Sequence, residues 1–348
     1  MYEVNNLFNR KSFISHYPDL FKVNKPFNPI EVAKERIRKA FKEYGRLGLA
    51  WSGGKDSTTL LVLALEVLRE TKGELAVLHN DTLVENPIIR EHCDRVLEEL
   101  RAYIKREDLP VEIYISKPHV NETFWVNVVG KGYPLANPHF RWCQKALKIK
   151  PSERTAEKIG VKAFLVGVRE KESIGRKRLI NKNYKNGKSE RFKQVLIAPI
   201  VDWADEDVWE FLTTYECEWT NLRKVYELYR SASGECPVFY QERTTFCGAR
   251  FGCWVCPLIK EVKEIKNMMI EYPQLKPLYE LRNWLIEFCS RKENRTGKKR
   301  NGKPIREGKG QLTIEARKEI FKRLKEMNLL TEEEETEIKK EWQKEVEP

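Results

Sequence analysis

The sequence predicts an α/β protein with a doubly wound, mostly parallel sheet, followed by a helical, cysteine-rich extension. Three observations carry this prediction. Short apolar runs alternate with segments of helical periodicity across residues 30–204, a glycine pair follows the first of these runs, and four of the eight cysteines fall within residues 236–256. Strands that alternate with helices in this way form a parallel sheet covered on both faces.

The periodicity places the elements in order. Helices are expected at residues 30–44, 57–70, 87–104 and 144–159, and strands at residues 47–51, 74–80, 111–116, 163–168 and 195–200. The alternation stops near residue 205, and further helices are expected at residues 205–215, 221–230, 262–290 and 313–345. The chain therefore divides into an N-terminal segment (1–29), an α/β domain (30–204) and an extension (205–348).

Composition and charge narrow the class of protein. The 348 residues are 41% hydrophobic, and no apolar run reaches the ~18–20 residues of a membrane helix. The first thirty residues lack a signal-peptide pattern, so a cytoplasmic protein with no membrane partner is expected. Lys and Arg number 64 against 52 Asp and Glu, and residues 291–309 form a basic stretch that resembles a flexible arm. This excess of positive charge favours binding to the phosphates of a nucleic acid. The alternative is that the charged side chains are only solvated.

The segment after the first strand predicts a phosphate site. It reads Ser52-Gly53-Gly54-Lys55-Asp56-Ser57, and glycines let a backbone approach an anion that the next helix N-terminus can bind. The spacing differs from those of the common nucleoside-triphosphate loop and the dinucleotide fingerprint. The two serines offer hydroxyl donors, and Asp56 suits a helix N-terminus or a magnesium-facing position.

Two later segments extend this site. Asp81 follows the second strand, and Arg169 and Arg176 follow the fourth, in a segment that reads GVREKESIGR. Ligands bind beyond the carboxyl ends of parallel strands, and the planar guanidinium group of arginine matches phosphate oxygens. A helix cap at Asp81 and a solvated loop around the arginines are the alternatives.

The cysteines predict a metal site and a separate reactive thiol. Cys236, Cys247, Cys253 and Cys256 have the spacing C-x10-C-x5-C-x2-C, which suits zinc or a [4Fe–4S] cluster. Spacing alone leaves both open, and the neighbouring prolines and aromatic residues favour iron–sulfur. Cys143 lies in a basic, aromatic stretch near a helix start, which would lower its pKa and make it a nucleophile. A half-buried structural cysteine is the alternative.

Taken together, the motifs resemble a known family. SGGKDS is similar to the PP-loop of ATP pyrophosphatases, and GVREKES to a segment of PAPS-reductase-like proteins. With NDTLVENP, TFWVNVVGKGYP, FRWCQKALKIKP, ECP and CGARFGCWVC, these motifs resemble the DndC-type sulfurtransferases of DNA phosphorothioation over residues 45–290. Members of that family replace a non-bridging oxygen of the DNA backbone by sulfur, with ATP, a [4Fe–4S] cluster and a cysteine desulfurase as sulfur donor.

The resemblance implies a role for each residue. The loop from Ser52 to Ser57 would hold the ATP phosphates, and Asp81 would face the nucleotide or Mg²⁺. Arg169 and Arg176 would meet an anionic group, Cys143 would handle sulfur, and the four clustered cysteines would ligate the cluster. DNA, a cysteine desulfurase and other subunits of a DNA-modification complex are the implied partners.

Three other interpretations stay open. A reductase of PAPS or adenylylsulfate shares the fold but cleaves no ATP, and a tRNA thiolase would put sulfur into RNA. A zinc module held by four cysteines would bind nucleic acid without catalysis. Three observations distinguish these four interpretations: whether pyrophosphate is released, which nucleic acid receives sulfur, and which metal is bound.

Overall fold

A sheet of six strands lies at the centre of the part of the chain that the structure describes. In this computed structural model the described residues are 28–170, 188–189, 194–233, 251–258 and 263–346. The strands are β1 (Arg46–Trp51), β2 (Glu74–Asn80), β3 (Val111–Ser116), β4 (Ala163–Leu165), β5 (Lys188–Ser189) and β6 (Val195–Ile197), in the order β3-β2-β1-β4-β6-β5. All pair in parallel except β5, which lies antiparallel to β6 at the edge. The predicted doubly wound, mostly parallel sheet is confirmed.

The central strands are buried on both faces, which explains their continuous apolar sequences. The register pairs Leu49 of β1 with Val77 of β2, and Val77 with Ile113 of β3. The strands β4 and β6 end at residues 165 and 197, earlier than the predicted 168 and 200. Beyond these points the two segments leave the sheet and bond to each other, as Glu170 N does to Val201 O at 2.8 Å.

Five α-helices lie within the described residues 28–170, and the sequence explains the N-terminal ends of two of them. They are α1 (Pro29–Tyr44), α2 (Lys55–Glu70), α3 (Pro87–Glu107), the short α4 (Trp142–Gln144) and α5 (Lys150–Ile159). Asn28 Oδ1 caps α1 by accepting from Ile30 N at 3.1 Å, and Asn86 Oδ1 caps α3 by accepting from Ile88 N at 3.0 Å.

A π-helical turn, Lys145–Ile149, interrupts the helix predicted at residues 144–159. Pro151 has no N–H and therefore cannot donate to the Leu147 carbonyl four residues earlier. Asn80 Nδ2 donates to that carbonyl instead, at 3.3 Å. The irregular turn thereby ties the end of β2 to the helical segment that carries Cys143.

The C-terminal third is mostly helical where the structure describes it, in agreement with the predicted helical extension. Its helices are α6 (Asp205–Thr214), α7 (Arg223–Ser233), α8 (Lys263–Met268), α9 (Lys276–Ser290), α10 (Ile314–Glu326) and α11 (Glu332–Val346). Two breaks were not predicted: Pro273 and Pro277 begin new helical segments after α8, and Asn328 turns left-handed between α10 and α11. No helix in the described ranges has the length and apolarity that crossing a membrane requires.

The basic stretch is folded rather than a free arm, which corrects the expectation of flexibility. Residues 295–312, called the basic hairpin below, carry antiparallel bridges between Arg295 and Leu312 and between Lys298 and Pro304. Leu312 N donates to Gly132 O at 2.9 Å. The hairpin is therefore anchored to the segment that leads to Cys143.

Candidate functional site

The phosphate loop lies between β1 and α2. Gly53 has a φ of 75°, and a Cβ at this position would lie 2.3 Å from Cys93 Sγ, so only glycine fits. Ser57 Oγ accepts from Ser52 N at 3.1 Å and donates to Gly54 O at 3.1 Å, which fixes the turn. Gly54 is the N-cap of α2 and brings no side chain to satisfy the first N–H groups. The positive end of the helix therefore faces the loop.

Four charged side chains close one side of the loop. Arg169 Nε donates to Asp56 Oδ1 at 2.6 Å, and Arg169 Nη2 donates to Asp205 Oδ1. Lys55 Nζ lies 2.8 Å from Asp205 Oδ1 and 3.0 Å from Asp56 Oδ1. Arg169 is fully buried, and its Nη1 donates to Trp203 O at 3.2 Å. Two cations and two carboxylates thus form one network, called the charge cluster below.

In this cluster, the opposite charges affect the pKa values more strongly than burial does. Burial lowers the pKa of Arg169, but Asp56 and Asp205 reverse the effect, and the net pKa lies above its ordinary value. Burial raises the pKa of Asp205, but Lys55 and Arg169 reverse the effect, and the net pKa is lowered. Both groups are therefore charged at neutral pH. A phosphate that enters the loop must compete with Asp56 and Asp205 for the two cations.

Asp81 begins the loop after β2 and is held by cations. Its Oδ1 accepts from Leu83 N at 2.9 Å and from Arg90 Nη2 at 2.7 Å, and Lys117 Nζ lies 3.4 Å from Oδ2. Burial raises the pKa of this carboxyl, but the backbone bond from Leu83 and the two cations outweigh it, and the net pKa is lowered. Asp81 is therefore ionised at the carboxyl end of β2.

The same loop holds a cysteine segment of the extension. Thr82 Oγ1 lies 3.5 Å from Cys253 Sγ, and Glu85 and Cys253 form an antiparallel bridge. Trp254 N donates to Val84 O at 3.0 Å. The segment that contains Cys253 and Cys256 therefore lies beside the carboxyl ends of the strands, where open parallel sheets bind ligands.

A cavity of about 210 Å³ brings three thiols together. Cys143 from α4 lines it together with Cys253 and Cys256, and this space is called the thiol cavity below. Burial raises the pKa of Cys143, and Cys253 and Cys256 raise it further. Burial likewise raises the pKa of Cys253, and the charge of Lys148 offsets only part of the effect. Other residues of the wall include Phe124, Phe251 and Trp254.

A model of the phosphoadenosine phosphosulfate reductase domain matches residues 46–258, more than half of the chain. The chain belongs to this domain family. The match begins at β1 and ends two residues beyond Cys256, so it contains both the phosphate loop and the thiol cavity's cysteines.

Relatives of this PAPS-reductase-domain protein fall into two groups. Two uncharacterised proteins of Methanocaldococcus jannaschii are 28% and 26% identical over 231 and 249 residues, which are 66% and 70% of this chain. The matches cover 45% and 42% of those proteins, so this chain spans less than half of their length. An adenosine 5′-phosphosulfate reductase of Staphylococcus haemolyticus is 28% identical over 194 residues, 55% of this chain and 70% of that protein.

Two solved structures are similar at low TM-scores. A PAPS reductase from Candida auris in a phosphate complex has a TM-score of 0.38 and 18% identity, covering 62% of this chain and 92% of that chain. A U34-tRNA thiolase from Methanococcus maripaludis with its [4Fe-4S] cluster has a TM-score of 0.37 and 13% identity, covering 75% and 78%. Neither likeness adds to what the family match establishes.

The structure of this PAPS-reductase-domain protein brings together part of the predicted site. The loop residues meet Arg169, and Asp81 shares its loop with the partners of Cys253. Arg176, Cys236 and Cys247 lie outside the described residues. Within the described ranges, no three His, Cys, Asp or Glu side chains are arranged to hold a metal ion. The catalytic, nucleotide-binding and metal-ligating roles therefore stay predictions.

The expected lowering of the Cys143 pKa is wrong. The neighbouring cations Arg141 and Lys145 are exposed, so water screens their charges. Burial has the largest effect on the Cys143 pKa instead, and it raises that pKa. The segment with Cys253 and Cys256, which the loop after β2 contacts, lines the same cavity. Because Cys143 and Cys253 are more than a hundred residues apart in the sequence, the sequence does not show that they line the same cavity.

Sequence reasoning misses Asp205 and Tyr229. Asp205 stands in the first turn of α6, where acidic residues are ordinary, so nothing marks it as part of a site. Lys55 N donates to Tyr229 Oη at 3.4 Å, and the Tyr229 ring meets Phe251 edge-on, with centroids 4.4 Å apart. Tyr229 thus connects the phosphate loop to the wall of the thiol cavity.

Proposed function

We propose that this protein is an ATP-pyrophosphatase-type sulfurtransferase that replaces a non-bridging oxygen of a DNA backbone phosphate by sulfur. The position of Tyr229 carries the proposal. Its hydroxyl contacts the first N–H group of α2 at the phosphate loop, and its ring contacts Phe251 of the thiol cavity. Groups suited to phosphate binding and groups suited to sulfur chemistry are thus one side chain apart.

The phosphate loop would perform the activation step. A phosphodiester oxygen is a poor leaving group, so it must first be converted into a better one. In the proposed reaction a non-bridging oxygen attacks the α-phosphorus of ATP, and the bond to the β-phosphate breaks with release of pyrophosphate. Gly53, Gly54 and the α2 N-terminus would hold the departing phosphates, while Lys55 and Arg169 neutralise charge. Mg²⁺ would accompany the phosphates, with Asp56 or Asp81 as carboxylate ligand.

Cys143 would deliver the sulfur. The terminal sulfur of a persulfide on Cys143 attacks the activated DNA phosphorus, and AMP leaves with the original oxygen. A thiol then attacks the sulfur–sulfur bond, which leaves the new sulfur on the phosphate and gives a disulfide. An external dithiol reduces that disulfide. A cysteine desulfurase would load the persulfide, and other subunits of a DNA-modification complex would be further partners in the cytoplasm.

Cys236, Cys247, Cys253 and Cys256 would hold a [4Fe–4S] cluster. The donor chemistry fits because Cys253 and Cys256 line one cavity with aromatic walls, and such clusters are held by cysteine thiolates. A bound cluster would supply iron able to bind sulfur. Protein purified without oxygen should contain about four irons per chain. Stoichiometric zinc with no iron would contradict this part of the proposal.

Transfer of radioactive sulfur tests the proposal as a whole. The protein is mixed with DNA, ATP and a cysteine desulfurase charged with labelled cysteine, and DNA freed of protein is counted. We expect label in DNA and AMP in solution, both lost in Asp56→Ala, whose carboxylate contacts Lys55 and Arg169. Formation of ADP and phosphate by the unchanged protein would overturn the proposal.

A nucleotide-sulfate reductase is the second candidate function. The family match and the name of the Staphylococcus haemolyticus relative favour it. Such an enzyme would release sulfite from adenylylsulfate or PAPS with a reductant and without ATP. Sulfite release under those conditions, with no label in DNA, would favour the reductase, and label in tRNA would favour a thiolase.

A further inference from the structure

A row of aromatic rings connects the protein surface to the thiol cavity. Phe140 and Tyr133 lie parallel, with an interplanar angle of 5° and centroids 6.2 Å apart. The ring centroids of Tyr133 and Trp142 lie 5.1 Å apart. Trp142 in turn stacks on Phe124, a residue of the cavity wall, with centroids 5.7 Å apart. Phe140 is 43% exposed, so part of its ring faces solvent. The outer end of the row therefore offers an aromatic surface to a ligand.

The row is held in place by polar contacts. Trp142 Nε1 donates to Pro134 O at 2.8 Å, and the backbone N–H of Phe140 donates to Asn137 Oδ1 at 3.0 Å. Arg300 of the basic hairpin donates to Tyr133 Oη at 2.8 Å and lies over the Tyr133 ring, 5.3 Å from its centroid. The Phe140 ring therefore stands on a fixed support that the hairpin helps to form.

The basic hairpin supplies unneutralised positive charge beside this row. Six of its Lys and Arg side chains are exposed, and in the described part of the chain none of them forms an ion pair: Lys298, Lys299, Arg300, Lys303, Arg306 and Lys309. Cationic residues whose charge is only solvated are more often interleaved with carboxylates, and Glu307 is the one acidic residue within residues 295–312. This concentration of positive charge suits a chain of phosphates.

We propose that Phe140 is a stacking platform for an unpaired DNA base, and that the basic hairpin binds the phosphates that flank it. The inference deepens the proposed function and rests on it for the identity of the nucleic acid. Bases within a duplex are covered on both faces by their neighbours, so only an unpaired or flipped-out base can lie on a protein ring. The strand is thereby held with its backbone beside the wall that contains Cys143.

Binding of labelled oligonucleotides tests this inference without ATP or desulfurase. The probes share one sequence and are single-stranded DNA, blunt duplex DNA, duplex DNA with one bulged nucleotide, and single-stranded RNA. We expect single-stranded and bulged DNA to bind more tightly than blunt duplex DNA. Phe140→Leu should weaken binding of the single strand about tenfold, since stacking contributes strongly per base, while Phe140→Trp should retain it. The dependence on salt should change little in either variant.

The hairpin is tested by the salt dependence itself. Lys298→Gln combined with Lys299→Gln should flatten the plot of log affinity against log salt by about 1.4 for a single strand. The matched control is Lys105→Gln combined with Lys158→Gln, two exposed lysines on α3 and α5, which should leave the slope unchanged.

Two results would overturn the inference. One is equal affinity for blunt duplex and single strand together with no effect of Phe140→Leu, and the other is clear preference for RNA over DNA. Because the assay contains no ATP, its outcome is independent of sulfur transfer. Loss of stacking with intact sulfur transfer refutes only the platform, and intact stacking with no label in DNA refutes only the proposed function.

Discussion

The charge cluster and the thiol cavity lie at the same edge of the sheet, but they are built in opposite ways. In the charge cluster, burial is compensated by partners, so Arg169 and Asp205 stay ionised. In the thiol cavity, burial is not compensated, and the pKa of Cys143 and of Cys253 rises. The cations of the first region are thus already paired, and an anionic ligand has to displace Asp56 or Asp205 from them. In the second region, burial favours the neutral thiol form of Cys143 and Cys253, so a role as sulfur nucleophile or metal ligand would require each of them to lose its proton.

The largest effect is expected from the phosphate loop. Gly53→Ala places a Cβ 2.3 Å from Cys93 Sγ at a φ of 75°, so the loop must move. A displacement of about 1 Å at such a site can reduce turnover ~100-fold, and we expect that loss in AMP formation from ATP. Gly45→Ala is the control, because Gly45 has a φ of 70° but no atom within 4 Å of the new Cβ. Equal loss of turnover in both variants would mean that backbone strain, rather than the loop, controls the reaction.

The next effect concerns the charge cluster. Asp205→Asn leaves the buried Arg169 guanidinium with one counter-charge fewer, and breaking such a pair should lower the free energy of unfolding by about 3 kcal/mol. Urea denaturation measures the change. The control is Asp202→Asn, which breaks the half-exposed pair with Arg36 at 2.8 Å and should cost about 0.5 kcal/mol. Equal losses in the two variants would show that the cluster is no more than a surface ion pair.

The stabilising effect of Asp205 should depend on pH. The pKa of Asp205 in the folded protein lies below its ordinary value of 3.8, so its contribution is complete above that value and is lost as the pH falls further. The difference in unfolding free energy between the unchanged protein and Asp205→Asn should therefore be constant near neutral pH and shrink below pH 3.8. A difference that grows towards low pH would contradict the sign of the shift.

The smallest change in stability is expected in the thiol cavity. Cys143→Ser removes a half-buried thiol but nearly keeps its size, so the free energy of unfolding should fall by less than about 1 kcal/mol. We expect the iron content to be retained while sulfur transfer is lost, as measured by iron analysis and labelled sulfur. Loss of iron would instead make Cys143 a ligand beside Cys253 and Cys256, and the sulfur would need another carrier.

The sequence predicts the fold well because the evidence for it is local. Each of these features affects only residues a few positions away along the chain. They are the apolar runs of β1 to β3, the glycine pair, and the helix caps Asn28 and Asn86. Short elements are harder to predict. Within the described residues, β5 has two residues and pairs only with its neighbour β6, and the π turn Lys145–Ile149 lies just before Pro151.

The site was only partly predictable because its decisive contacts are long-range. Nothing near Asp205 in sequence indicates that Lys55 and Arg169 both bind it, and nothing near Cys143 indicates that Cys253 faces the same cavity. The direction of the Cys143 pKa shift was mispredicted because exposed cations are easy to see in a sequence, whereas burial is not. The roles of Arg176, Cys236 and Cys247 stay predictions.

We propose that the phosphate loop activates DNA and that the thiol cavity supplies sulfur, in two separable steps. One measurement tests it most directly: counting AMP, pyrophosphate and DNA-bound sulfur in the same reaction, for the unchanged protein and for iron-containing Cys143→Ser. We expect one AMP and one pyrophosphate per sulfur in the unchanged protein, and AMP without sulfur in the variant. Undiminished sulfur transfer by the variant, or ADP in place of AMP, would contradict it.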